Sequence, residues 1–220
     1  MEFKRITLLC GHYGSGKTNV AVNMAFRLRQ QYDKVAIADL DIVNPYFRSK
    51  DSEQEFKDAD IKLICSAYAN SNVDIPALPQ EMYAIVDDTS LMSIIDVGGD
   101  DRGALALGRL SPKILEENNY EMYMVINCFR PLTRDVESTL EVMQEIETAG
   151  KIKFTGLINN SNLGDITSAQ DVLTSNEYAL AVEKASGVKL KLTTVKQELY
   201  NELVGKIDNL FPLTLQKKLI

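Results

Sequence analysis

Short apolar runs separated by stretches of helical length constrain this chain more than any other feature. Ile6–Cys10, Val35–Ala38, Ile61–Cys65, Leu91–Val97, Met122–Cys128, Phe154–Ile158 and Val188–Val195 read as strands. Most lack the apolar–polar alternation of a half-exposed sheet, so both faces must be covered, as in parallel strands layered between helices. Helical spacing appears between them. Val20, Met24, Ala25 and Leu28 share one face of the first intervening segment; Val136, Leu140, Met143 and Ile146 share one face of a later segment that Gly150 ends. This order predicts an α/β fold: a three-layer, doubly wound, mostly parallel sheet of about seven strands with helices on both faces. In such folds ligands bind at the carboxyl ends of the strands. At 220 residues and 45% hydrophobic content, residues 1–220 are expected to form one domain.

The first run leads into Gly11-His12-Tyr13-Gly14-Ser15-Gly16-Lys17-Thr18, with Asn19 next on the helix that follows. The match to G-x-x-x-x-G-K-[ST] stands in the strand-then-helix context in which this loop cradles nucleotide phosphates. Its glycines let successive N–H groups turn inward toward anionic oxygens, and the helix starting near Gly16 points its positive end the same way. Lys17 supplies a mobile charge for the β- and γ-phosphates, and the Thr18 hydroxyl is placed to ligate Mg²⁺. Gly11 through Asn19 are therefore candidate nucleotide contacts.

Three carboxylates follow at strand ends. Asp39 and Asp41, two residues apart, lie on the same side of an extended chain, one βα unit after the phosphate loop. They are candidates for holding Mg²⁺ through water and positioning an attacking water. Asp96 closes the run from Leu91 and precedes Gly98-Gly99-Asp100-Asp101, a pattern suited to a metal's outer shell and a loop ordered by a γ-phosphate. Asn159 and Asn160 end the sixth run; an Asn amide matches the N6 and N7 edge of adenine, with an Asx-turn as the alternative. The Asn-Lys-x-Asp pattern of guanine readers is absent, which favours ATP.

Composition removes other classes. A net charge of −7 argues against a nucleic-acid footprint. No run of about 18 apolar residues exists to span a membrane, and the N-terminus does not read as a signal peptide. Cys10, Cys65 and Cys128 are far apart, suiting small buried thiols and a reducing, cytoplasmic setting. Glu137, Glu141 and Glu145 fall opposite an apolar helix face and read as a solvated surface. Ser66–Gln80 reads as a polar surface excursion, and Leu210–Ile220 as packing back onto the domain or meeting a partner rather than as a membrane helix.

Taken together, Gly11–Thr18, Asp39-x-Asp41, Asp96-Val97-Gly98-Gly99 and Gly156–Asn160 resemble, in order and spacing, the MinD/ParA/nitrogenase-iron-protein (SIMIBI) class of P-loop ATPases over about residues 1–165. The resemblance implies an ATP-driven, Mg²⁺-dependent switch acting on a partner protein, often as a nucleotide-sandwiched dimer. Asp39 and Asp41 would sit in its first switch, with Asp41 aligning water. Asp96 would sit in the second switch, and Asn160, more than Asn159, at the base. Two departures stand out. The class usually carries a second lysine five residues before the P-loop lysine, where this chain has His12, followed by Tyr13 in place of Gly. The iron protein's cluster cysteines are also absent, which disfavours an iron–sulfur reductase. A small-molecule kinase or ligase similar to dethiobiotin synthetase, and a nucleotide sensor with little turnover, are the alternatives. Arg48 and Arg102 read as solvated.

Overall fold

The first apolar run becomes β1 (Ile6–Cys10), buried at every position. The structure is a computed structural model that describes residues 2–40, 52–65, 80–99 and 101–215, the side chains of Asp101 and Arg102 excepted. The other strands are β2 (Val35–Asp39), β3 (Ile61–Cys65), β4 (Met92–Asp96), β5 (Tyr120–Ile126), β6 (Gly156–Asn159), β7 (Leu190–Lys196) and β8 (Leu210–Leu213). They form one eight-stranded sheet in the order β3-β2-β4-β1-β5-β6-β7-β8. Every neighbouring pair is parallel.

The period of two along a strand divides the core. Ile6, Leu8 and Cys10 join one cluster, with Met82 and Ile85 of α3 (Gln80–Asp87), Leu107 and Ile114 of α4 (Asp101–Glu117), Val142 and Met143 of α5 (Val136–Gly150) and Val182 of α6 (Ala169–Ser186). Leu9 points the other way, into a cluster with Val20, Met24 and Leu28 of α1 (Lys17–Arg29) and Phe56 of α2 (Glu53–Asp58). The result is the expected three-layer arrangement. A smaller cluster joins Val172 of α6, Val195 of β7 and Leu203 of the short helix α7 (Tyr200–Leu203). Among the described residues no helix is long and apolar enough to cross a membrane.

One strand lay outside the sequence expectation of about seven. Leu210–Leu213 pairs with β7 in register from Thr193↔Leu210 to Lys196↔Leu213. Pro212 argues against a central strand because it cannot donate to a ladder, but β8 is the edge of the sheet and needs only one paired side. The rest of the C-terminal stretch, residues 216–220, lies outside the described residues, as do the excursion from Ser66 to Pro79 and the segment containing Asp41 and Arg48. Glu137, Glu141 and Glu145 are exposed along α5, as their spacing predicts.

Helix ends show how the chain treats a helix it wishes to close. Asp135 caps α5 by accepting from the Ser138 amide, and Ser168 with Asp171 forms a reciprocal capping box on α6. α1 differs: its N-cap is Gly16, in a left-handed conformation at φ 85°, with no side chain closing the end.

Candidate nucleotide site

The phosphate loop crosses from the carboxyl end of β1 to α1 through a turn closed by the Ser15 amide on the His12 carbonyl (3.1 Å). Two glycines are sterically required. At Gly11, with φ +149°, a Cβ would come within 2.4 Å of the Val125 carbonyl oxygen of β5. At Gly16 it would stand 2.3 Å from Asn160 Nδ2. His12 turns its Nδ1 onto the Tyr13 carbonyl (3.1 Å), and Tyr13 is exposed. Lys17 is only 4% exposed, yet its Nζ makes a single hydrogen bond among the described residues, a 3.5 Å contact to the His12 carbonyl. Ser15 Oγ is buried with no hydrogen-bond partner there. A buried ammonium so thinly partnered, beneath the uncapped end of α1, is the arrangement that an anion completes.

The carboxylates stand behind the loop. Asp39 and Asp96 are direct register partners across β2 and β4, and both are buried. Both also engage other groups of the protein. Cys10, at the end of β1, reports what surrounds this point. Burial pushes its thiol well above the ordinary range, the Lys17 charge opposes the rise, and the Asp96 charge adds to it. Asp96 is the register partner of Leu9, and Lys17 Nζ reaches the His12 carbonyl just past β1, so both charges lie at the carboxyl end of that strand. Thr18, Asp39 and Asp96, all buried, offer oxygen atoms, the donor type that a hard cation such as Mg²⁺ takes. Asp41 lies outside the described residues.

The glycine pair after β4 is in contact with the phosphate loop. A Cβ on Gly99 would meet the Tyr13 amide nitrogen at 2.6 Å and the Gly11 carbonyl oxygen at 3.0 Å. On Gly103, in the first turn of α4, it would meet Gly98 Cα at 2.6 Å. Backbone therefore packs on backbone from the phosphate loop through Gly98-Gly99 into α4, a juxtaposition the sequence could not reveal.

A cleft of about 760 Å³ opens over the carboxyl ends of the strands. The phosphate loop lines one part through Tyr13, Gly14 and Gly16–Asn19; Asn160, Asn162, Thr194 and Lys196 are among the residues that line the rest. Gly11, His12 and Ser15 shape the loop without lining the cleft. Asn160 reaches the cleft with its amide already engaged: Nδ2 donates to the Ser15 carbonyl (2.6 Å) and Oδ1 accepts from Thr194 Oγ1 (2.5 Å). It braces the phosphate loop against β7, and these bonds take one N–H and one lone pair of the amide proposed from sequence for the adenine edge. Asn159 is fully buried, with Nδ2 on Ser175 Oγ (3.1 Å) and Oδ1 on the Ser161 amide (3.1 Å), and it takes no part in lining the cleft.

Sequence reasoning missed Arg130. It sits in the loop after β5 and donates from Nε to the Gly14 carbonyl (2.9 Å) while lining the cleft. The available signal was positional: an arginine just past a strand's carboxyl end, where this fold binds ligands. Lys196, paired with the exposed Asp165 at 3.4 Å, is a second such residue.

Comparison with known proteins follows this geometry. The family model described as the CobQ/CobB/MinD/ParA nucleotide binding domain matches residues 6–184. None of the curated protein sequences compared with the chain matches it. The cell division protein FtsY of Thermotoga maritima shares the fold with a TM-score of 0.60 at 15% identity, over 90% of this chain and 63% of its own. Chloroplast FtsY of Physcomitrella patens does so with 0.58 at 15% identity, over 88% and 59%. The signal recognition particle 54 kDa protein of Aeropyrum pernix, solved in complex with GDP, gives 0.54 at 18% identity, over 87% and 41%. The chain thus spans less than two thirds of the length of these structural neighbours. At such identities they establish the fold, whereas the family match extends over most of the sequence from β1 into α6. This chain is a member of the CobQ/CobB/MinD/ParA nucleotide-binding domain family.

Proposed function

We propose that the protein is a Mg²⁺-dependent ATPase that works as a switch on a partner protein. The observation that carries this reading is Lys17, an almost fully buried cation with one long hydrogen bond among the described residues, set beneath an uncapped helix end at the carboxyl end of β1, where Asp96 pairs with Leu9. ATP would lay its phosphates along residues 11–18 and its base toward Asn162, Thr194 and Lys196. Thr18, Asp39 and Asp96 would hold Mg²⁺, directly or through water. The metal supplies charge neutralisation at the β- and γ-phosphate oxygens. Lys17 binds the same oxygens, and Asp41 aligns the attacking water.

The switch element is the contact between Gly99 and the phosphate loop. A γ-phosphate that draws the Gly98–Gly99 amides toward it acts on α4 through the Gly98–Gly103 contact, and α4 presents Leu105 to solvent. A partner that reads this helix would sense which nucleotide is bound.

The decisive measurement is phosphate release from Mg·ATP and from Mg·GTP across a range of protein concentrations, with Lys17→Ala as control. Release that depends on Lys17 and prefers ATP supports the reading; a preference for GTP overturns the base assignment. Asp41→Ala is expected to bind ATP with unchanged affinity and lose hydrolysis. Diphosphate formation only when a metabolite is added would replace the switch with a phosphotransferase.

A further inference from the structure

Phosphoryl transfer from ATP places negative charge on the β–γ bridging oxygen and the γ-phosphate oxygens as the bond between them breaks. One buried lysine is a limited answer to that charge, and of the cleft's other two cations Lys196 is paired with Asp165, which leaves Arg130. We propose that Arg130, delivered in cis from the loop after β5, stabilises the charge that develops on the triphosphate during hydrolysis. The proposal rests on the ATPase reading given above.

Three features of Arg130 support this role. First, its backbone is anchored. The Arg130 amide donates to the Asn127 carbonyl (3.0 Å), and the Thr133 amide donates to the Arg130 carbonyl (3.1 Å). Pro131 starts the short 3-10 turn that follows, and the buried Thr133 hydroxyl returns to the Asn127 carbonyl (2.7 Å). Second, its side chain lies across the phosphate loop, with Nε on the Gly14 carbonyl at 2.9 Å. Third, that bond uses only Nε. Both Nη groups, four N–H donors in a planar fork, have no protein partner among the described residues, and no carboxylate there neutralises the charge. Arg130 shares its cleft with Lys17 and Thr18.

The chemistry balances with these groups. A water oxygen bonds to the γ-phosphorus while the bond to the β–γ bridging oxygen breaks, and its electron pair leaves with ADP. Of the water's two protons, one stays on the attacking oxygen as a hydroxyl of inorganic phosphate and the other passes to solvent. Lys17 holds the oxygens in the ground state; the Arg130 fork gains most where charge grows. Both cations come from one chain, so the site does not require a second copy to supply one.

The test uses the full chain with Arg130→Ala and Arg130→Lys, since an exposed side chain can be changed without disturbing the core. Single-turnover hydrolysis of saturating Mg·ATP by Arg130→Ala is expected to fall by about 10³-fold, the scale of an arginine acting on a phosphoryl transition state. Binding of a fluorescent ADP should change by less than about threefold, and Arg130→Lys should recover only part of the rate. Capture of ADP with aluminium fluoride, which mimics the transferring phosphoryl group and needs no turnover, should be lost in Arg130→Ala. Unchanged hydrolysis and unchanged fluoride capture would overturn the proposal. So would equal losses in ADP affinity and fluoride capture, which would make Arg130 a brace for the loop. Activity restored by mixing Arg130→Ala with Lys17→Ala would overturn the cis assignment. Wild-type protein that binds no nucleotide would instead remove the ATPase reading itself.

Discussion

The two ends of β1 each carry a buried cation, Arg5 just before the strand and Lys17 just after the loop that leaves it, and each is 4% exposed. Arg5 is fully provided for. Its Nη1 donates to the carbonyls of Ile85 (2.7 Å), Leu91 (3.1 Å) and Asp88 (3.2 Å), and Nε with Nη2 grips the Glu117 carboxylate in a two-pronged pair. Lys17 has one hydrogen bond among the described residues, at 3.5 Å. Both charges have left water, and among the described residues only Arg5 is well repaid. At the amino end of the sheet the charge joins β1, α3 and α4 into one body; at the carboxyl end it leaves a place for an anion. Burial alone therefore does not separate a structural charge from a binding one. The partner count does.

The largest effect expected from this contrast is on stability. Arg5→Met should cost about 3–5 kcal/mol, as removal of one member of a buried ion pair does. Urea unfolding would read that loss, while the folded fraction keeps its affinity for ATP. A small loss, or weaker ATP binding, would break the comparison.

The mirror-image variant is Lys17→Met. It should weaken ATP binding about 100-fold, the loss of roughly two charge-assisted hydrogen bonds. Its melting temperature without nucleotide should stay level or rise, because a thinly paired buried charge is gone. A marked fall would mean that Lys17 is also structural.

Gly99→Ala sharpens the contrast at the proposed switch. Its Cβ would overlap the Tyr13 amide nitrogen, a backbone atom that cannot swing aside. A loss of about 1–3 kcal/mol is expected, together with weaker ATP binding, read by thermal melts with and without nucleotide.

The smallest effect concerns the helix caps. Asp135 is held below its ordinary 3.8 by hydrogen bonds from the Ser138 amide and hydroxyl, and Asp171 below the same value by those from the Ser168 hydroxyl and amide. A lowered carboxylate contributes stability above its unfolded value and loses it as pH falls through the folded one. Asp135→Asn with Asp171→Asn should therefore flatten the loss of stability below about pH 3.8. An unchanged acid limb would show that carboxylates elsewhere set it.

What was legible in the sequence was local. Gly11–Thr18 announces its conformation because every residue of the motif acts within one turn of chain. The buried strands show as unbroken apolar runs because both faces are covered. β8 escaped because Pro212 contradicts a strand unless it is known to lie at an edge. Nothing next to Arg5 in the sequence marks its role, since its side-chain partners lie 80 to 112 residues away. Arg130 meets the Gly14 carbonyl across 116 residues. Asn160 shows the limit most clearly: the residue was found, but bonds to Ser15 and Thr194, 145 and 34 residues distant, decide what its amide does.

The place of β1 in the middle of the sheet has a consequence for synthesis. Its neighbours are β4 and β5, and the Arg5 amide finds its Asn119 acceptor 114 residues further along. At about 5–20 residues per second, roughly 6 to 23 seconds separate translation of the two. The phosphate loop also leans on Val125, Gly99 and Asn160, which arrive in the second half of that interval or later. A nascent chain therefore carries the entire phosphate-loop motif long before it can hold a phosphate, and the nucleotide meets only a molecule that has already assembled its centre.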